Sequence, residues 1–316
     1  MTKSIPTPLY ECARRQEGLI STAQCDEYGV SGDRRSRLVV SGRWRRVTRG
    51  VYDTGSIDDP TGWEHRRLRP VFLGLLAYPC SVAVSGCALA LHDIWGLPID
   101  LAPEVALPRG HWAPARDSIR VRRFDNGMTT TVARGCPTAT VDFALAQAIC
   151  EMTRASALSV LDSALHQGRA DAATLRRVKT LVRGRRGAAR THEYWDLVDG
   201  RAESPLETRA RLIFHDADVA PDELQVPLRN ADGAVMAYGD MGWRLADGTW
   251  LIVEMDGREV HAAPEAVYRD RARQNEVLAA GRTLFLRFTG ADLGRHQTMV
   301  AQVRRSLARG TAAVAA

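Results

Sequence analysis

From Pro70 to Leu91 the chain runs twenty-two residues without a charge, PVFLGLLAYPCSVAVSGCALAL. A stretch of that length is long enough to span a bilayer. It therefore decides first whether the chain folds in lipid or in water. Pro79, Ser81, Ser85 and Gly86 interrupt it, and a continuous Leu/Ile/Val/Phe character is missing. The pattern predicts a helix ending near Tyr78, a short buried strand at 81–84 and a second helix from Ser85, with no membrane span. The opening residues, MTKSIPTPLYECARR, contain no apolar segment of the kind a secretory signal needs. Six cysteines (12, 25, 80, 87, 136 and 150) include no CxxC pair, and no histidines stand at zinc-ligand spacing. A structural zinc is therefore not expected, and the thiols read as reduced, cytoplasmic and mostly core-filling.

The chain of 316 residues is long enough for two or three domains, each with its own core. Its formal charge of +6 says little by itself, but the distribution of charge is informative. Residues 33–49 carry seven arginines against the single acid Asp33. Residues 176–190 carry seven bases and no acid, whereas residues 201–270 carry fourteen acids against seven bases. A basic front, a basic hinge and an acidic back imply different tasks.

The front reads as a small module. Ser21 and Thr22 cap a helix bearing Ala23, Cys25 and Tyr28, and Gly29 ends it. A second helix opens at Gly32 or Asp33, with Leu38, Val39 and Val40 as its apolar residues and arginines on its other face. WRRVTRGVY then alternates apolar and basic residues, as a half-buried strand does. Helix, tight turn, basic helix and basic strand is the order of a winged helix-turn-helix. In that arrangement Arg34, Arg35 and Arg37 would face a major groove, with Arg45, Arg46 and Arg49 on the flanking backbone and Arg43 a further DNA-binding residue. The competing reading is a solvated basic face. The segment GLISTAQ…GVSGDRRSRLVVSGRWRRVTRGVYDTG resembles the N-terminal domain of AbiEi-type antitoxins, with VSGCALALHDIWGLP and TTVARGCPTATVDFALA extending the likeness over the first half of the chain. The resemblance implies DNA recognition, repression of the protein's own promoter, and a cognate toxin of nucleotidyltransferase type.

The middle, 59–170, mixes helical patterns (RRLRPVFLGLLAY, PTATVDFALAQAICEM) with strand-like ones (EVALP, SIRVRRF) and reads as a scaffold. His92 reads as closing a helix end, and Asp142 reads as structural. A helical connector covers 171–200. Its basic run either tracks a DNA backbone or is a solvated helix face.

At the back, Ser204, Pro205 and Glu207 form a capping-box signature for a helix. Strands follow at 224–228, at 233–243 and over GTWLIVEMDG, then a helix at 264–280 and a strand at 282–290. Asp240 falls at the end of one strand, and Glu254 and Asp256 at the end of the next. Strand alternation puts the latter two on one face. Paired as a hairpin, the two strands would gather three carboxylates, an arrangement that favours Mg²⁺ or Mn²⁺ as the neutralising ion. The competing reading ends a strand at Gly257 and places Asp240 in a separate turn.

The combination of Glu207, GDM, VEMDGREVH, RDRARQN and LFLRF resembles the restriction-endonuclease-like PD-(D/E)xK superfamily, and within it proteins related to very-short-patch repair endonucleases. The resemblance implies that Asp240 and Glu254 bind metal and that Asp256, in the usual place of a lysine, adds a ligand or holds the water. It also implies that His261 transfers a proton and that Glu207 is a distal ligand or orients one. Met241 departs from the pattern, which has an aromatic residue there. The expected architecture is a multidomain α/β chain with a winged helix at 1–58, a mixed α/β scaffold at 59–170, a connector at 171–200 and a restriction-endonuclease-like core at 201–316. Two functions follow: a DNA-binding, Mg²⁺- or Mn²⁺-dependent endonuclease, or an antitoxin-like repressor whose nuclease fold is silent.

Overall fold

The computed structural model describes residues 5–108, 113–230, 232–257 and 283–312. The chain is mixed α/β and divides into two compact units, residues 1–157 with 167–196, and residues 158–166 with 197–316. The helix α7 defined below contributes residues to both.

The first unit opens with helix α1 (Thr7–Arg15), strand β1 (Leu19–Ser21), helices α2 (Thr22–Glu27) and α3 (Gly32–Val40), and strands β2 (Arg45–Thr48) and β3 (Val51–Asp53). The strands form an antiparallel sheet in the order β1-β3-β2. Leu9 and Ala13 of α1 are buried with Ile20, Cys25, Val30, Leu38 and Trp44, so the module's core begins upstream of the segment that the sequence pattern marks. WRRVTRGVY, expected as one strand, is a hairpin. Gly50 at φ +82° reverses the chain between β2 and β3, a conformation open to glycine at no steric cost.

The rest of the unit is a five-stranded mixed sheet with helices. Helix α4 (Trp63–Ala77), strand β4 (Val82–Ala83) and helix α5 (Ser85–Leu91) account for the charge-free stretch. Among the described residues no helix is long and apolar enough to cross a membrane. Strands β5 (Glu104–Leu107), β6 (Arg120–Arg123), β7 (Thr130–Ala133) and β8 (Cys136–Ala139) complete the sheet in the order β6-β5-β4-β8-β7. Gly74 lets α4 lie close to this sheet, since a Cβ there would stand 2.8 Å from Val105 Cγ1. The segment expected as one helix from Pro137 divides: its start belongs to β8, and helix α6 runs Val141–Ala148. The cause is the turn at Arg134 (φ +49°) and Gly135 (φ +74°), a two-residue loop with both angles positive that zips β7 to β8. Helix α7 (Arg154–His166), helix α8 (Ala172–Leu181) and the short α9 (Tyr194–Leu197) follow. His92 caps α5 and its Nε2 lies 2.8 Å from the Ala139 carbonyl, while Asp142 pairs with Arg177 at 2.7 Å.

The second unit is built on helix α10 (Pro205–Asp216), strands β9 (Glu223–Arg229), β10 (Val235–Arg244), β11 (Trp250–Asp256) and β12 (Thr283–Thr289), a short helix α11 (Gly290–Leu293) and helix α12 (His296–Ala312). The sheet order is β12-β11-β10-β9, antiparallel except for the parallel pair β11–β12. Ala210, Phe214, Met299 and Val303 from the helices pack on Met241, Trp243, Leu251 and Val253. Phe214 meets Trp243 edge-on at 5.2 Å, an arrangement the ring quadrupoles favour. The helix expected at 264–280, and with it RDRARQN, lies outside the described residues.

Candidate nucleic-acid interface and carboxylate cluster

The basic module is fixed by polar contacts within and between its helices. Ser21 and Gln24 form a reciprocal capping box: Ser21 Oγ accepts from Gln24 N–H at 3.2 Å, and Gln24 Oε1 accepts from Ser21 N–H at 2.9 Å. This sets the start of α2. The link from α2 to α3 is held by Arg35, whose guanidinium donates to the Val30 carbonyl at 2.7 Å and to the Asp26 carboxylate. Arg35 is only 9% exposed, so it holds the turn from inside rather than facing outward from α3. A buried arginine inside a run of arginines carries no sequence signature; the register of the helix selects it. Trp44 is buried and tilts against Tyr52 at 6.0 Å, anchoring the hairpin.

Arg37 on α3, Arg43 in the following turn, and Arg45, Arg46 and Arg49 on the hairpin are exposed, and Arg34 is half-buried. Arg45 reaches Asp53 at 3.2 Å, and Arg69 of α4 meets the same carboxylate at 2.7 Å. Burial would raise the Asp53 carboxyl, but the Gly55 N–H and the two arginines outweigh it and hold it below its ordinary value. Val40 departs from expectation. It closes α3 but is 89% exposed, because the buried face of the helix runs through Arg35 and Leu38.

In the second unit the hairpin of β10 and β11 pairs Met241 with Val253. One step further in the same register sets Asp240 across from Glu254. Asp240 Oδ2 accepts the Met255 N–H at 2.7 Å. Its carboxyl is pushed up to about 7, chiefly by burial and then by the charges of Glu207, Glu254 and Glu203. Glu207, on the first turn of α10, is buried; Glu203 N–H (2.9 Å) and Gln225 Nε2 (3.2 Å) donate to its carboxylate. Burial raises its carboxyl too. The capping box predicted for α10 is therefore half made. Ser204 Oγ accepts from Glu207 N–H, but the Glu207 carboxylate accepts the Glu203 N–H rather than the Ser204 N–H.

Glu254 is paired with Arg287, its neighbour across the parallel strand β12, at 2.9 Å. Sequence reasoning passed over Arg287 in LFLRF; only the parallel pairing reveals it as the cation beside the cluster. Asp256 is exposed at the end of β11. His261 lies outside the described residues. Among the described residues no set of three His, Cys, Asp or Glu side chains is placed to hold a metal ion.

With this geometry in view, residues 8–52 match a family of proteins described as "Transcriptional regulator, AbiEi antitoxin". The match covers α1 to β3 and takes in the exposed arginines. Two uncharacterized proteins, one from each of two strains of Mycobacterium tuberculosis, are each 33% identical over 138 residues, which is 42% of this chain and 48% of the relative. The chain thus spans about half the length of the curated relatives it matches.

Proposed function

We propose that this chain is a DNA-binding transcriptional regulator of the antitoxin type, with residues 7–53 as its winged-helix reader. The observation that carries this reading is the split among the arginines: Arg35 is consumed inside the turn, while Arg37, Arg43, Arg45, Arg46 and Arg49 are exposed on α3 and the hairpin. The order helix, strand, helix, helix, hairpin supports it, as does the antitoxin-regulator description of the family matched at 8–52. In this reading α3 enters the major groove and the β2–β3 hairpin grips flanking phosphates. The antitoxin description of that family extends the proposal to a toxin partner, and the resemblance read from the sequence adds that it is of nucleotidyltransferase type. Binding of the full chain to promoter duplexes, measured across salt concentrations, tests the reading. Affinity should fall steeply with salt, and Arg43→Ala with Arg46→Ala should flatten that fall. Affinity untouched by both changes would sink it.

A second reading is carried by the hairpin register that sets Asp240 across from Glu254. We infer that Asp240 and Glu254, with Glu207 behind them, form a divalent-cation site of nuclease type in a restriction-endonuclease-like unit. The fit is that of a cluster in which burial and the neighbouring acids push Asp240 up while Arg287 pairs with Glu254. Mg²⁺ or Mn²⁺ bound there would supply an activated water and offset charge on a phosphodiester. Asp240 and Glu254 would hold the ion, Glu207 would orient Asp240, and Asp256 would face the solvent side. Mn²⁺ titration, with plasmid cleavage assayed beside Asp240→Ala, tests it. Absence of both binding and cleavage would leave a regulator only.

A further inference from the structure

The outward face of α3 is a single stripe: Asp33, Ser36, Arg37 and Val40 are exposed, while Arg35 and Leu38 point inward. Ser36 Oγ is turned back on its own helix, donating to the Gly32 carbonyl at 3.0 Å. Arg37 Nε makes only a long contact, 3.4 Å, to the Asp33 carbonyl one turn earlier, so its guanidinium is available. Val40 is the most exposed of the large apolar side chains among the described residues, at 89%. It stands on the same face as Arg37, at the end of the helix that leads into Arg43. A lone exposed aliphatic residue is ordinary on a protein surface. Here it occupies the face of a helix surrounded by groove-reaching cations.

We propose that Val40 and Arg37 are the base-reading pair of this protein, Val40 against the 5-methyl group of a thymine and Arg37 against the acceptor edge of a guanine. The inference rests on α3 being the groove helix. In the major groove the only apolar feature is the thymine methyl, and the feature that best matches a guanidinium is the O6/N7 pair of guanine. The two side chains lie three residues apart, a rise of about 4.5 Å along the helix. One base step is about 3.4 Å. The thymine and guanine they contact therefore lie within one or two steps of each other. Arg35 takes no part in reading, because its guanidinium belongs to the turn.

The test uses the full chain and duplexes enriched from a random-sequence pool. In the enriched site each thymine is replaced singly by uracil, which removes only the methyl, and each guanine by 7-deazaguanine. The natural sequence should lose about fourfold in affinity at one uracil, the worth of roughly one buried methyl. Val40→Ala should bind more weakly overall and be indifferent to that uracil. Arg37→Ala should be indifferent to 7-deazaguanine at a site one or two steps away. A natural chain that ignores every uracil, or a Val40→Ala variant that keeps the uracil penalty, overturns the assignment while leaving DNA binding intact. Failure to enrich any duplex overturns the groove reading itself, and the inference with it. Val40 is exposed, so its substitution leaves folding essentially unchanged.

Discussion

Arg211 of α10 reaches Asp162 of α7 at 2.9 Å, with the aspartate side chain 1% exposed and the arginine 11%. The carboxylate also accepts from Thr208 Oγ1 at 2.9 Å and from the Asp199 N–H at 2.8 Å, so one buried acid ties together two helices and the segment between them. Burial pushes its carboxyl up to about 6 despite Arg211. Removing it strands the arginine. Asp162→Ala should cost about 3–5 kcal/mol, the usual penalty for leaving one buried partner uncompensated. Chemical denaturation followed on the second unit checks this, and a loss below about 1 kcal/mol would contradict the burial of the pair.

The same group gives a pH dependence of defined sign. Its folded value, about 6, lies above the roughly 3.9 of an unfolded aspartate. The folded form therefore holds the proton more tightly. This group's contribution is largest below pH about 4 and is lost as pH rises through about 6. Asp162→Asn should flatten that part of the stability profile. An unchanged slope between pH 4.5 and 6.5 in the variant would assign the dependence to other groups.

Arg35 and Arg46 make a matched pair of opposite expectation. Arg35→Ala leaves the Val30 carbonyl and Asp26 without their donor inside the turn, and should destabilise the module by about 2 kcal/mol. Its DNA binding should weaken in parallel with unfolding. Arg46 is exposed on the hairpin, and its loss should change stability by less than about 0.5 kcal/mol. Arg46→Ala should instead reduce the slope of affinity against salt by about one unit. Melting curves and salt titrations on the two variants separate the roles, and a normal melting point for Arg35→Ala would contradict the buried geometry.

Much of the element order is legible in local chemistry. The Ser21 cap, the Gly29 turn and the strand run ending at Asp256 all stand in the sequence as patterns with a physical cause, and the structure forms each of them. What escaped reading depends on partners distant in the chain. Helix α1 matters because Leu9 and Ala13 pack under Ile20 and Trp44, which its own composition does not announce. The β7–β8 hairpin turns on Arg134 in a left-handed conformation, where glycine or asparagine is the usual signal. Val40 reads as apolar and therefore as core, yet the helix phase set by Arg35 and Leu38 turns it to water. At the carboxylates, Glu254 stands near the end of β11 as expected, whereas Asp240, expected at a strand end, lies inside β10, which runs on to Arg244. Arg287 enters the picture only through a parallel pairing thirty-three residues away.

Asp240 offers the sharpest separation between a structural strand residue and a site. Its carboxyl stands near 7 because burial and the charges of Glu207 and Glu254 disfavour ionisation. At pH 8 the group is ionised against that resistance, at a cost on the order of 4 kcal/mol. Asp240→Asn removes the charge and keeps an oxygen for the Met255 N–H, which Asp240 Oδ2 now accepts at 2.7 Å. In metal-free buffer at pH 8 the variant should therefore melt several degrees above the natural chain, and the difference should shrink as pH falls and vanish below about pH 4. Mn²⁺ should raise the melting point of the natural chain and leave Asp240→Asn where it was, because a cation relieves only a charge that is present. Stabilisation by the substitution with no response to Mn²⁺ would make the cluster a burden of the fold without a ligand. No stabilisation at all would mean that the Met255 hydrogen bond, rather than the neighbouring acids, sets the energy of this position.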